Sequence, residues 1–456
     1  MRGMTPKPKH AVAVVGGATA GAEVAARLAE RGILVVVFER NRRPFGKIED
    51  GLPRWHQKLR QREYERIAER LEHPLVEFVP DTTIGRDLAF DELVHGWGFT
   101  AVVLANGAWR DRPLSLSAGT DPEPFVGRGL EYQNPFVISF NHEHDAAFAG
   151  RRIPPVDGAA VIGGGLAAID VAKILSLDCT ARALGERGID VTVEHLEHAG
   201  IDATLEQHGL AWADLGLRGA TIYYRRRIAD MPVAQIPAGA DAARRAKVEA
   251  TREKLVAKVR AKYQVEVRPL AVADDLLVQD DRVVGLRLRE TVLADGRLVE
   301  TAETFEALHP LVVSSIGSIP QPISGVPMNG ELYDFANWDH GTFEGMDNVF
   351  AAGNVLTGKG NIAVSRRHAV EVTDGALEAY LGLGEAGEGA DPAQGPAGVA
   401  DAAAELAEGV LRHAASRPRL GPADLTQLLG RVADRQEAVG YGGDLAAWLE
   451  ELGQPC

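Results

Sequence analysis

Cysteine is nearly missing from this chain. Of its 456 residues only Cys179 and Cys456 carry a thiol, they lie far apart, and no Cys-x-x-Cys occurs. That excludes an internal redox-active dithiol and an iron–sulfur cluster held by four thiolates. Any electron chemistry must therefore reside in a bound organic cofactor. Long apolar runs are missing too: none reaches the ~18–20 residues that span a bilayer. The opening MRGMTPKPKH has charge but no apolar stretch before the first strand, so we expect no signal peptide and a cytoplasmic chain without membrane contact. Positive charge is in deficit. The net charge of −15 argues against a general nucleic-acid binder. What remains, 45% hydrophobic and 25% charged residues, is ordinary for a globular protein. On length alone the chain has room for about two to four domains.

The most informative stretch is residues 10–51. A buried strand is expected over Ala11 to Val15, then the turn Gly16-Gly17-Ala18-Thr19-Ala20-Gly21, then an Ala-rich helix to about Arg31. Gly32 ends the helix, and a second apolar strand, Ile33 to Phe38, closes on Glu39. This is the βαβ dinucleotide fingerprint. Gly16 makes the tight turn, Gly21 allows close helix–strand packing, and the helix N-terminus offers N–H groups to a pyrophosphate. Glu39 stands where a carboxylate accepts from ribose hydroxyls. Ala18 departs from the pattern: a methyl occupies the place of the second glycine.

Beyond it, residues 52–74 read as a charged amphipathic helix with an apolar stripe of Leu59, Tyr64, Ile67 and Leu71. Val76 to Val79 is a short strand. Phe99 to Asn106 is a buried one that runs into Ala105-Asn106-Gly107, where backbone comes close to a ligand. A second βαβ starts at Gly158, with a strand over Ala159 to Ile162 and the turn Gly163-Gly164-Gly165-Leu166-Ala167-Ala168. A helix follows over Ile169 to Leu175, and residues 178–218 read as a helical insertion. The returning strand, Ala220 to Tyr224, ends in Arg225-Arg226-Arg227 instead of an acid. Guanidinium groups there bind a 2′-phosphate, which a carboxylate would repel.

Residues 241–268 form a basic helix that includes Arg244, Arg245, Lys247, Arg252, Lys254, Lys258, Arg260 and Lys262. Such a stripe is either a solvated face or a docking surface for an acidic protein. Residues 282–304 read as a hairpin turning at Asp295-Gly296. Val349 to Gly353 is a further strand, and the Gly-rich loop from Asn354 to Ile362 opens a helix that runs to about Tyr380. Residues 384–400 have linker composition, and 401–452 read as short packing helices.

Two dinucleotide folds, the second inside the first, with a closing AAGN strand–loop–helix, resemble the adrenodoxin reductase and ferredoxin–NADP reductase family of the glutathione-reductase type. Tyr224-Arg225-Arg226 with Met231-Pro232 is also similar to the second motif of the glutamate synthase small subunit. Pro44-Phe45-Gly46-Lys47 through Gly51-Leu52-Pro53 and His56 resembles the family's flavin-side loop. The resemblance implies an α/β protein of two Rossmann-like three-layer domains. An FAD-binding domain of residues 1–155 and 326–383 encloses an NADP-binding domain of 156–325, and a linker at 384–400 leads to a helical extension at 401–456.

FAD is then expected against Gly16, Ala18, Thr19, Ala20, Gly21, Glu39, Arg40, Gly46, Lys47, Leu52 and Thr83. Ala105, Asn106, Gly107, Gly353, Asn354, Gly360, Asn361 and Ile362 complete that set. NADPH is expected against Gly163, Gly165, Leu166, Ala167, Ala168, Arg225 and Arg226. His56 is a candidate proton relay or orienting group, and Asn354 a candidate for tuning the flavin. The implied activity passes hydride from NADPH to flavin and single electrons to an acidic, ferredoxin-type carrier. Two alternatives stand beside it. One is reduction of a small anionic substrate held by Lys359, Arg366 and Arg367, which with His368 form a cluster unlike that expected in the ferredoxin branch. The other is a role as the flavin subunit of a larger complex. Asn354 matches neither the aromatic residue nor the acid found at its position in related proteins.

Overall fold

The computed structural model describes residues 8–146, 148–237, 239–358, 362–381 and 420–453. The expected linker at 384–400, residues 401–419, and Lys359, Gly360, Asn361 and Cys456 lie outside the described residues. Two compact units divide the chain. The first is drawn from residues up to 49, from 58–109 and from 319 onward, and the second from 50–57 and 110–318.

The first unit begins with β1 (Ala11–Val15), α1 (Thr19–Glu30), β2 (Leu34–Phe38), α2 (Gln57–Leu71), β3 (Val76–Val79) and β4 (Ala101–Leu104). The second holds β5 (Leu130–Tyr132), α3 (Gln133–Asn141), β6 (Ala160–Ile162), α4 (Leu166–Gly185), β7 (Thr221–Tyr224), α5 (Ala242–Tyr263) and β8 (Glu266–Pro269). It continues with β9 (Ala271–Gln279), β10 (Arg282–Ala294), β11 (Arg297–Leu308) and β12 (Val312–Ser314). The chain then returns to the first unit with β13 (Phe335–Asn337), β14 (Thr342–Phe343), β15 (Met346–Ala351), α6 (Asn354–Thr357), α7 (Ile362–Val372), α8 (Pro422–Ala438) and α9 (Leu445–Glu451).

The first unit is built on a seven-stranded sheet of order β13-β14-β15-β4-β1-β2-β3. Its five strands from β15 to β3 run parallel, and β13 and β14 are antiparallel additions at one edge. Parallel strands are covered on both faces, so β1 (AVAVV) and β2 (LVVVF) are apolar throughout and wholly buried. The glycine turn after β1 falls beside β4, where the strand order reverses and a crevice opens past the strand ends.

The C-terminal helices cover the other edge. Gln436 of α8 donates to the carbonyl of Phe78 in β3 at 2.9 Å, and Tyr441 meets the Phe78 ring edge-on at 5.7 Å. Trp448 of α9 donates from Nε1 to the Arg42 carbonyl at 2.8 Å. This covers an edge strand that would otherwise offer unpaired backbone groups. It also braces the segment after Glu39.

The second unit carries a parallel five-stranded sheet of order β5-β12-β6-β7-β8 and an antiparallel sheet of β9-β10-β11. Residues 50–57 and 110–155, expected with the FAD domain, pack here. The reason is pairing: β5 joins this sheet beside β12, with Leu130 opposite Val312. Asn141 of α3 donates to the carbonyls of Asp50 and Leu52 at 3.1 Å and ties 50–57 to the same unit. Asp295 and Gly296 both have positive φ, as a two-residue hairpin turn of this twist requires. Strand β9 and the extra turns of α4, which runs well past Leu175, were not expected. Among the described residues no helix is long and apolar enough to cross a membrane.

Trp448→Ala should lower the stability of the first unit by about 3–5 kcal/mol, through lost packing and an orphaned Arg42 carbonyl. Urea unfolding measures this, and a shift below 1 kcal/mol would show that the C-terminal helices are not part of its core.

Candidate functional site

In the first unit the turn after β1 is shaped by contacts that only glycine permits. Gly16 has φ of +101°, and a Cβ on it would stand 2.7 Å from the Ala105 carbonyl oxygen. A Cβ on Gly21 would stand 1.8 Å from the Gly16 oxygen, so α1 rests directly on the strand exit. Among the described residues no side chain caps α1, and its first turn holds no acid, so the helix itself supplies no anion to its positive dipole end.

Glu39 is buried, and backbone fixes its carboxylate. The Gly17 N–H donates to Oε2 at 2.8 Å and the Asn41 N–H to Oε1 at 2.9 Å. Ala18 is accommodated by Gly46, which has positive φ and whose Cβ would fall 2.9 Å from the Ala18 methyl. The alanine departure is thus matched by a glycine across the turn. Gly353 also has positive φ, and a Cβ there would lie 2.5 Å from that of Ala20.

Arg40 lies 4.1 Å from the centroid of the Trp109 ring and Lys47 lies 5.5 Å from it. The Thr82 N–H donates to the Glu39 carbonyl at 2.8 Å, which sets neighbouring Thr83 close to the same strand end. Asn106 donates to the hydroxyl of buried Tyr333 at 3.0 Å, and its own Oδ1 is buried with no partner. The structure thus gathers Gly16, Ala18, Ala20, Gly21, Glu39, Gly46, Ala105, Asn106 and Gly353 around one turn, while Gly360 and Asn361 lie outside the described residues. Ile362 begins α7 and packs against the core, and Asn354 begins α6 half-buried.

The second unit repeats the arrangement. A Cβ on Gly163 would meet the Ser315 carbonyl oxygen at 2.2 Å and the Ala168 methyl at 3.1 Å. At Gly164 it would strike the Tyr224 ring, at 2.2 Å. At Gly165, the N-cap of α4, it would meet nothing within 4 Å, so the backbone there faces open space. Like α1, α4 has no capping side chain and no acid in its first turn. α5, by contrast, is capped by the Asp241 carboxylate. Leu166 stands 51% exposed at the uncapped end, with Ala167 half-buried beside it. Of the three arginines after β7, Arg227 is committed to Asp230 through bonds of 2.9 and 2.8 Å. Among the described residues no side-chain hydrogen bond holds the guanidinium of Arg225 or Arg226.

Leu52 and His56 belong to the second unit. His56 stands beside Trp55, with ring centroids 6.0 Å apart. Trp55 borders a charge cluster around buried Lys173 that the sequence did not reveal. Lys173 Nζ lies 4.6 Å from the Trp55 ring and 4.8 Å from the Tyr263 ring, and it donates to Glu197 at 2.8 Å. Asp170, one turn earlier on α4, is 3.9 Å from Lys173 Nζ. Burial pushes its carboxyl up to about 6, against the pull of Lys173 and with a push from Glu197. A group titrating there is suited to hold or release a proton near neutral pH. The outward signal was Asp170 and Lys173, two opposite charges three residues apart in a largely apolar stretch of α4. Trp109, likewise unforeseen, follows directly on the Asn106-Gly107 turn.

Two expectations are corrected. Arg366, Arg367 and His368 do not form an anion site. Arg366 pairs with buried Glu63 and approaches Glu23 at 3.8 Å, and His368 Nδ1 accepts from the Gly353 N–H at 3.1 Å. Arg367 alone of the three is exposed, and Lys359 lies outside the described residues. Arg252 is not part of a cationic docking face: it is buried, and its guanidinium donates to the carbonyls of Ala229 and Ala234.

The profile of the pyridine nucleotide-disulphide oxidoreductase family matches residues 10–373. The chain is 32% identical over 183 residues to a glutamate synthase [NADPH] small chain of Bacillus subtilis, covering 40% of this chain and 34% of that one. It is 30% identical over 173 residues to the mitochondrial NADPH:adrenodoxin oxidoreductase of Arabidopsis thaliana (37% and 33%). It is 33% identical over 174 residues to a probable ferredoxin/ferredoxin–NADP reductase of Mycobacterium leprae (37% and 28%). The chain thus spans about a third of the length of these curated relatives. In fold it is similar to FprA of Mycobacterium tuberculosis in complex with NADPH, with a TM-score of 0.62 at 22% identity over 93% of this chain and 100% of that one.

Asp170 keeps its proton in the folded chain up to pH about 6, whereas an unfolded carboxyl releases it near ~3.9. Between these values the folded state binds more protons, so this group makes stability fall as pH rises, by roughly 2–3 kcal/mol in all. Asp170→Asn should therefore gain on the wild type in urea unfolding at pH about 7 and match it at about 4. An equal offset at both would show that Asp170 ionises normally.

Proposed function

Because the chain belongs to the pyridine nucleotide-disulphide oxidoreductase family, we propose that it is an NADPH-dependent flavoprotein, with FAD in the first fold and NADPH in the second, that delivers electrons to a ferredoxin-type iron–sulfur protein. The observation that carries this reading is the contrast at two equivalent strand ends. After β2 stands a buried carboxylate pinned by two backbone N–H groups; after β7 stand two guanidinium groups to which no side chain among the described residues is hydrogen-bonded. The first suits a ribose with free hydroxyls, the second a ribose carrying a 2′-phosphate.

The residues fit these groups. Both glycine turns leave bare backbone beneath an uncapped helix end, suited to a pyrophosphate. The orphaned Asn106 Oδ1 offers an acceptor to a ligand N–H or hydroxyl. Bound FAD supplies the step from two-electron to one-electron transfer, which no side chain can perform. The chain's own residues bind, orient and exclude. Asn354 and the helix opening at Ile362 tune the electrostatics near the flavin, and His56 orients or relays a proton. Cys179 cannot act as a thiol relay, since burial foremost, with Asp178, pushes its pKa up to about 12.

The names of the Arabidopsis and Mycobacterium leprae relatives, adrenodoxin and ferredoxin reductases, support the acceptor class. The glutamate synthase small chain supports a second reading, in which the electrons pass to a partner subunit of a larger complex. Exposed Lys254 and Lys258 of α5 suit an acidic carrier.

The purified protein should be yellow and release FAD, not FMN, on denaturation; colourless protein that takes up no FAD would contradict the reading. Removing both Arg225 and Arg226 should cost tenfold to several hundredfold in kcat/KM for NADPH, at about 1.5–3 kcal/mol per phosphate contact. NADH kinetics should barely change, and equal losses for both coenzymes would make the arginines structural. Turnover with ferredoxin should fall as salt rises, and Lys254→Glu with Lys258→Glu should raise KM for ferredoxin while sparing dye reduction. No ferredoxin turnover at any salt would favour the partner-subunit reading.

A further inference from the structure

Arg252 is an anomaly on α5. Arg244, Arg245, Lys247, Lys254 and Lys258 of the same helix are exposed, yet Arg252 is buried, and among the described residues no carboxylate pairs with it. Its guanidinium instead donates to two backbone carbonyls, from Nη1 to Ala229 at 2.8 Å and from Nε and Nη2 to Ala234 at 2.9 and 2.6 Å. A cation taken out of water costs stability unless it is hydrogen-bonded, and here three of the five N–H donors, one on each nitrogen, bond neutral carbonyls. A lysine, with one compact ammonium, cannot span both carbonyls in this planar fork.

Those carbonyls belong to the loop that leaves β7. The same loop begins with Arg225 and Arg226, and it is fastened from the other side as well. Thr291 donates to the Arg225 carbonyl at 2.8 Å, the Leu270 N–H to that of Arg226 at 3.2 Å, and the Tyr224 hydroxyl to that of Asp230 at 3.1 Å. The Tyr224 ring in turn fills the space over Gly164. One connected set of contacts therefore runs from the glycine turn to Arg252. It fixes the main chain under Arg225 and Arg226 and leaves their side chains uncommitted.

We propose that Arg252 is a positioning residue for coenzyme choice: without touching the nucleotide, it holds the loop that presents Arg225 and Arg226, so discrimination for a 2′-phosphate depends on it. This rests on the reading of the second fold as the NADPH site. Nucleotide affinity separates that dependence from general destabilisation, because a 2′-phosphate and its absence are compared on one protein.

The test is calorimetry on the FAD-loaded full chain with 2′,5′-ADP and 5′-AMP, for the wild type, Arg252→Lys and Arg252→Met. The wild type should bind 2′,5′-ADP more tightly than AMP. Arg252→Met should lose tenfold or more for 2′,5′-ADP and less than twofold for AMP. Arg252→Lys, which keeps the charge but not the fork, should fall between them. Equal loss for both nucleotides in both variants, or no loss in either, would overturn the role of Arg252. A wild type with no preference between the nucleotides would overturn the reading of Arg225 and Arg226 itself.

Discussion

Both folds depend on one steric constraint. At each sheet's reversal of strand order, the residue leaving the first strand must pass so close to a neighbouring carbonyl that no side chain fits. A Cβ would stand 2.7 Å from the Ala105 oxygen at Gly16 and 2.2 Å from the Ser315 oxygen at Gly163. Any other residue would push the neighbouring strand exit away and lift the helix from the sheet. The bare backbone that results, the uncapped helix ends of α1 and α4, and the crevice above them are consequences of that approach. The two sites then differ most in charge at the end of the next strand, a carboxylate in one and guanidinium groups in the other.

Buried charge holds the first site in shape. Glu23 of α1 meets Arg27 at 3.0 Å and Arg70 of α2 at 2.6 Å, and Arg366 of α7 bonds Glu63 of α2. Three helices over the sheet are thus joined by ion pairs whose carboxylates are almost wholly buried. Removing one partner would strand a charge in the interior, which costs more than the pair contributes. This explains why Arg366, in the first turns of α7, is unavailable to a substrate.

The parts legible in the sequence are those where backbone geometry dictates residue type. The run from β1 to Glu39 was readable because a parallel strand buried on both faces must be apolar, and its turn must be glycine. The arginines after β7 were readable from position. What escaped were polar groups satisfied across the fold. β9 was hidden by Asp274 and Asp275, which look like loop residues but bind Arg287 and Arg289 of β10. The length of α4 was hidden by Ser176, Asp178 and Thr180, buried and satisfied by partners such as Arg182 and the Ser176 carbonyl. Arg252 and Arg366 sat in cationic runs from which sequence alone could not separate a buried guanidinium from a solvated one. The reach of the second unit into residues 110–155 depends on which sheet β5 joins, a long-range pairing with no local signal.

The central claim is that one chain carries an FAD site and a 2′-phosphate-selective nucleotide site that work together. The most direct measurement is anaerobic titration of the FAD-loaded protein with NADPH and, separately, with NADH, following the visible flavin absorbance. The account predicts bleaching by about one equivalent of NADPH and little by NADH at the same concentration. Equal bleaching by both, or none by NADPH, would contradict it.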